Sequence, residues 1–279
     1  MDRQLEISAA KTETDAYLQY AGYAAGAVQT GRPDLARVWR SVGEVEHQDH
    51  WTHEVTLAGL YSGSDNVSNL RIAITQAQQA AKADSTWAAK APRGSAAAAE
   101  LRAVAARETS AAKLLGQALA AEQGKGQMPS APSVHTVSIQ VTAAPHYSGA
   151  FYNDLTDPSN SALDTAARNW AQYQYLAKTA VDTHQPKLAA LFSGLAAQEA
   201  HENWNGLSNA AGYVNSNAAN LKASVASEQG AIDMYTQYAN KAQKAGSTAV
   251  AGVFHSIRGD EMGHHGTFSR ELQQLNGQK

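Results

Sequence analysis

Long stretches of the chain carry apolar residues at three- and four-residue intervals, and short breaks rich in Gly, Pro, Ser and Asp separate them. That spacing predicts amphipathic helices joined by tight turns. The first helical stretch runs from about Leu5 to Gln29 and ends at Thr30-Gly31-Arg32-Pro33-Asp34. Pro33 suits the first turn of a helix, and a second stretch continues to about Leu60. Gly63, Ser64 and Asp65 break the chain before a third stretch, from about Val67 to Ala89. Pro92-Arg93-Gly94 ends that one, and a fourth runs from about Ser95 to Glu122. Four helices with short connections read as an antiparallel bundle.

The pattern then recurs at an offset of 153 positions. AVQTGRP at 27–33 falls on AVDTHQP at 180–186, Gln19-Tyr20 on Gln172-Tyr173, and Leu35-Ala36 on Leu188-Ala189. Trp39 falls on Phe192, Glu46 on Glu199, Asp49 on Glu202, Trp51 on Trp204 and Glu108 on Glu261. The third helix matches with a two-residue slip, Asn69-Leu70-Arg71 on Asn220-Leu221-Lys222. One offset held across three helices indicates an internal duplication of a four-helix unit. The expected fold is therefore all-α, two tandem bundles forming a pseudo-dimer, with residues 1–123 as the first bundle and 161–279 as the second. Residues 124–160 form a linker that holds Pro129, Pro132, Pro145 and Pro158 of the seven prolines. Within it Val137, Ile139 and Val141 alternate with period two, which predicts a short strand. The linker is expected to cross the surface between the bundles, and a lid over a site is the alternative.

Composition narrows the function. There are no cysteines, which excludes disulfides, thiolate zinc sites and cysteine nucleophiles. A net charge of -3 argues against a nucleic-acid partner or a membrane surface. No apolar core follows a basic start, and no run of ~18 apolar residues exists, so a soluble, cytoplasmic protein is expected.

The chemistry lies in helices that carry carboxylates on apolar faces. In Phe254–His265, FHSIRGDEMGHH, Glu261 and His264 are three apart and lie on one face with Ile257. A carboxylate and an imidazole are costly to bury unless something pairs with them, and a metal ion is a common solution. Glu-x-x-His is the inward ligand pair of carboxylate-bridged di-metal bundles. The second copy adds Glu199 and Glu202 on its second helix and Glu228 on its third, with Tyr235 two turns later. Burying Glu199, Glu228 and Glu261 together would raise their pKa values strongly without a compensating cation. The first copy offers Glu13, Glu46, Asp49 and Glu108, with His50 and His53 within about 40° of Glu46. Glu13 and Glu46 are also compatible with ion pairs at a bundle end. Tyr20, Tyr173 and Tyr235 fit either hydrogen bonding to a ligand carboxylate or plain packing. His265 fits a ligand, an outer donor or a surface residue. Ala166, Ala77 and Ala111 stand where other ligands would be expected.

LFSGLAAQEAHENW and VFHSIRGDEMGHHGTF resemble the second and fourth helices of rubrerythrins, in the ferritin-like di-iron carboxylate superfamily, and NLKASVASEQGAIDMY resembles their third. The resemblance covers both copies and leaves out the linker. It implies a Glu from helix one, Glu-x-x-His from helix two, Glu from helix three and Glu-x-x-His from helix four. Carried over, Glu199 and Glu261 would bridge two irons, and Glu228 with His264 would complete one metal position. Glu202 stands where the family has His, and Ala166 removes the helix-one Glu. The cysteine-ligated rubredoxin iron site and the extra helix-three Glu are missing, so electrons would come from an external donor. The expected function is a non-haem di-iron, or iron/manganese, oxidoreductase acting on dioxygen or peroxide. Its main site would be Glu199, Glu202, Glu228, Glu261 and His264, with a possible second site of Glu13, Glu46, Asp49, His50 and Glu108. A metal-poor scaffold or binding protein is the alternative, and metal storage a third.

Overall fold

The computed structural model describes the backbone of residues 2–277 and the side chains of residues 5–277. Among these the fold is all-α. Helix α1 spans Asp2–Gln29, and α2 (Pro33–Val45) runs through a π-helical turn, Glu46–Trp51, into α3 (Thr52–Ala58). Helices α4 (Asn66–Lys90) and α5 (Ala96–Glu122) follow, then a short α6 (Gly149–Thr156) and α7 (Ala162–Asp182). Helix α8 (Pro186–Gln198) runs through a second π turn, Glu199–Trp204, into α9 (Asn205–Ala211). Helices α10 (Asn217–Lys244) and α11 (Thr248–Gly277) complete the chain. No helix among the described residues is long and apolar enough to cross a membrane.

Local chemistry sets the ends. The side chains of Asp65, Ser95, Ser161 and Ser216 cap α4, α5, α7 and α10 by accepting from Ser68, Ala98, Asp164 and Ala219 backbone N–H groups. Each satisfies one donor that a helix start would leave bare. Pro33 and Pro186 open α2 and α8, where their missing N–H costs nothing. Gly59 and Gly212, at φ of 57° and 65°, end α3 and α9. Their N–H groups bond back to Thr56 and Asn209 carbonyls, and those of Leu60 and Tyr213 bond to Val55 and Ser208. These are left-handed helix ends that favour glycine.

The chain divides into two compact units, and they are not the successive halves 1–123 and 161–279. Unit 1 comprises residues 1–60, 140–144 and 214–279; unit 2 comprises residues 61–139 and 145–213. Helices α1 and α2–α3 thus share unit 1 with α10 and α11, while α4 and α5 share unit 2 with α7 and α8–α9. Each unit is a four-helix bundle made of one helical hairpin from each half of the chain. The boundaries expected from sequence assumed that neighbours along the chain pack together. Short turns fix each hairpin, but they do not say which hairpin it packs against.

In unit 1 the core is aromatic at both ends of the bundle. Tyr20, Tyr23, Trp39 and Phe268 pack on one another, and Tyr235 packs on Phe254. Small Ala9, Ala231, Ala239, Ala242 and Ala251 are buried in one cluster with Tyr235, Phe254 and Ile257, where they let the helices approach. In unit 2, Tyr173 stacks on Phe192, and Leu70, Leu101 and Leu115 are fully buried.

The segment 124–148 contains no strand. Residues 134–141 have no regular secondary structure, and the alternation does bury Ile139, but the partner is a helix. The Val137 N–H donates to the carbonyl of His201 in the second π turn, and the Asn205 and Asn209 amides donate to the Val137 and Ser138 carbonyls. The polar groups that a sheet would have paired are met by α9 and the turn before it.

Candidate metal centre

Unit 1 gathers acidic and imidazole side chains from all four of its helices. Helix α1 contributes Glu13, with Tyr20 two turns on. The π turn contributes Glu46 and His50, and α3 contributes Glu54 one turn later. Helix α10 contributes Glu228 and Tyr235, and α11 contributes Glu261 and His264. The π turn decides which residues of the second helix point inward. Its i→i+5 bonding inserts one residue into the turn, so the inward position falls four residues after Glu46 rather than three. His50 is therefore buried beside Glu46, while Asp49 and His53 are exposed.

The geometry is that of two overlapping donor sets. Glu13, Glu46, His50 and Glu261 each offer one atom within 4.8 Å of the others, and so do Glu46, Glu228, Glu261 and His264. His50 Nδ1 lies 3.0 Å from Glu46 Oε2, 3.2 Å from Glu261 Oε1 and 3.5 Å from Glu13 Oε2. His264 Nδ1 lies 3.0 Å from Glu46 Oε1, 3.4 Å from Glu261 Oε2 and 3.7 Å from Glu228 Oε2. Glu46 and Glu261 thus each send one oxygen to His50 and the other to His264. Glu46 Oε1, Glu261 Oε1 and His264 Nδ1 are buried, yet have no partner in hydrogen-bonding geometry among the described residues. Atoms this close that do not bond to one another are aimed at common points between them. Four carboxylates and two imidazoles are hard and borderline donors that suit iron or manganese, so the residues present fit a pair of such ions.

Two tyrosines brace the ligands in a reciprocal pattern. Tyr20 on α1 donates to Glu228 on α10, and Tyr235 on α10 donates to Glu13 on α1. His50 Nε2 lies 3.4 Å from Asp260 Oδ2, so the ring nitrogen that faces away from the site meets an exposed carboxylate. Such outer partners fix a ligating ring and its tautomer.

Electrostatics describes a site that wants cations. Burial pushes the Glu13 and Glu54 carboxyls well above the usual range and Glu228 up to about 9. Burial also pushes Glu46 and Glu261 up, but the imidazoles of His264 and His50 outweigh it and hold both below the ordinary value. Burial alone would lower the histidines. The carboxylates around them win, raising His264 to about 12 and His50 further. Two imidazolium ions balance part of the negative charge.

Unit 2 carries the same frame without the ligands. Glu199 of the second π turn lies beside Glu108 of α5, and burial raises both carboxyls. Ala166, Ala77 and Ala111 are buried at the places that correspond to Glu13, Glu228 and His264. Asn203 replaces His50, and its amide donates to Glu199 Oε2 at 2.7 Å while its oxygen accepts from Arg107 Nε at 2.5 Å. Asn169 donates to Glu108 Oε1 at 3.0 Å. Amide donors thus point where cations would sit. The Tyr173 hydroxyl and both Asp84 oxygens are buried with no hydrogen-bond partner among the described residues. Tyr173 corresponds to Tyr20, whose acceptor is here Ala77, and Asp84 to Tyr235, whose acceptor is here Ala166.

The main site expected from sequence is therefore divided. Glu228, Glu261 and His264 lie in unit 1 with Glu13, Glu46 and His50, whereas Glu199, Glu202 and Glu108 lie in unit 2. Glu202 accepts from the His135 N–H at 2.5 Å and from Gln198 at 3.2 Å, so the linker engages it. Tyr173 and Tyr235 part in the same way, and His265 is half-buried and outside both donor sets. The sequence reading did not single out Glu54 or Asp260. Glu54 continues the four-residue spacing of Glu46 and His50, which was the available signal.

No curated protein and no solved structure matches the chain. Residues 219–279, which hold Glu228, Glu261 and His264, match the family model described as Rubrerythrin.

Proposed function

We propose that unit 1 holds a non-haem dinuclear centre, two irons or an iron–manganese pair, and that the protein is an oxidoreductase using dioxygen or peroxide. The observation that carries this is the division of Glu46 and Glu261, each with one oxygen toward His50 and one toward His264. Glu13 and His50 would complete one metal position, and Glu228 and His264 the other. Bound there, the metals would supply redox chemistry toward an O–O bond. The protein's own residues hold the remaining parts. Tyr20 and Tyr235 orient Glu228 and Glu13, and His50 and His264 give up protons as they take metal. Asp260, which is exposed, gives His50 a path for protons to solvent. With no cysteine in the chain, electrons would come from an external donor.

Unit 2 is proposed as the scaffold partner from a tandem duplication. The matching π turns, left-handed helix ends and opening prolines at an offset of 153 support this descent. The missing ligands favour a metal-free role for it.

Anaerobic reconstitution with Fe(II), followed by metal analysis, tests the assignment. About two metals per chain are expected, with a peroxide-sensitive absorption on oxidation. Glu46→Ala should remove most of both, whereas Glu199→Ala should leave the count unchanged. Retention of two metals by Glu46→Ala would show that the centre is elsewhere.

A further inference from the structure

Glu54 is fully buried, on the same inward stripe as Glu46 and His50, yet it belongs to neither converging donor set. Its Oε1 lies 2.6 Å from the Tyr235 hydroxyl, and its Oε2 has no hydrogen-bond partner among the described residues. Tyr235 also faces Glu13. A phenol has one proton, so it serves one of these carboxylates and leaves the other short of a donor. A buried carboxylate oxygen with nothing opposite it is costly. The equivalent position in unit 2, where the other ligands are missing, is Leu207, also fully buried. The bundle itself therefore does not require a polar group there, and the carboxylate goes with the metal-ligand set.

We propose that Glu54 is a further metal ligand, a carboxylate that exchanges the Tyr235 hydroxyl for the metal on the Glu13–His50 side. This rests on the dinuclear reading of unit 1. As Glu54 turns inward, any proton on its carboxyl passes to solvent, and Tyr235 keeps its hydrogen bond to Glu13. The two metal positions then differ. The His50 side has Glu13, His50 and Glu54 besides the bridges, and the His264 side has only Glu228 and His264. The side with the extra anionic oxygen holds its ion more tightly and favours the harder, more highly charged one.

The test is anaerobic Mn(II) titration of the full chain, with free Mn(II) followed by electron paramagnetic resonance. The parent, Glu54→Gln, Glu54→Leu and Tyr235→Phe are compared. The parent should take two ions. Both Glu54 variants should weaken one of the two by about tenfold or more and leave the other unchanged, the scale of a lost ligand-shell group. Tyr235→Phe removes the donor that orients Glu13 but spares the Glu54 carboxylate, so its loss at that position should be smaller than that of Glu54→Gln. Parental affinity at both positions in Glu54→Gln and Glu54→Leu would overturn the proposal. So would equal losses in Tyr235→Phe and Glu54→Gln, which would make the pair a structural contact. A parent that binds no Mn(II) or Fe(II) would instead overturn the dinuclear reading itself.

Discussion

At the scale of single residues, protons and the proposed metals would compete for the same atoms. His264 is held at about 12 and Glu228 at about 9, so both carry protons near neutrality that a metal would have to displace. Both pKa values lie above the ordinary ones, and so both groups lose their protons more readily as pH rises. Metal affinity should therefore climb with pH between about 6 and 9, with protons released on binding. Titration of Mn(II) at several pH values, in buffers of differing ionisation enthalpy, measures both. An affinity that falls across this range would contradict the ligand assignment. Removing the outer carboxylate by Asp260→Asn leaves the His50 ring less well oriented. Metal binding on that side should weaken by about tenfold or less, since Asp260 is 55% exposed. Part of the cluster was legible beforehand: Glu261 and His264 stood out by helical spacing and Glu228 by its place on the third helix of the second copy, and the three lie together. Asp49 stood out for the same reason and is exposed, because spacing alone assumes an α-helix and the π turn is invisible to it.

At the scale of elements, the repeated turns can be compared directly. Gly31 (φ 74°) follows α1, and the corresponding residue after α7 is His184 (φ 60°). A side chain in the left-handed region costs about 1 kcal/mol, while glycine has the greater entropy to lose on folding. His184→Gly should stabilise the protein by about 0.5 kcal/mol, seen as an upward Tm shift of about 1–2 °C in calorimetry. A lowered Tm would mean that His184 makes interactions that offset its strain. Helix ends were readable from the break at residues 30–34, with Pro33 opening α2, and from the breaks at 63–65 and 92–94. The period-two run at Val137–Val141 was readable too, but it reports only which side of the segment is the less exposed, with Ile139 buried and Val137 and Val141 half-buried. Whether a strand or a helix covers them is set by tertiary partners such as Asn205 and Asn209.

At the scale of the whole molecule, the pairing of hairpins was the part the sequence could not disclose. The two halves have similar apolar faces, so the α1–α2 hairpin is compatible with α4–α5 or with α10–α11. The losses at Ala77, Ala111 and Ala166 look scattered between two half-empty sites when the chain is cut in the middle. Sorted by the observed units, all three fall in unit 2, and unit 1 holds Glu13, Glu228 and His264 at the corresponding places. Fragments 1–123 and 161–279 should accordingly bind no metal when made alone, because each holds only part of the ligand set. Co-expressed, they should recover about two metals per pair. Metal held by 161–279 alone would place the centre within one half of the chain. The cross-pairing also sets when the protein matures. Glu13 and its donor Tyr235 are 222 positions apart, so at 5–20 residues per second the ribosome needs on the order of 10 to 40 s to deliver the second after the first. Through that interval the first hairpin waits with acidic residues and no partner helix. This high contact order favours slow, late assembly. Iron or manganese would enter only after α11 has been made, and nascent chains that stall before it would be left without a centre to fill.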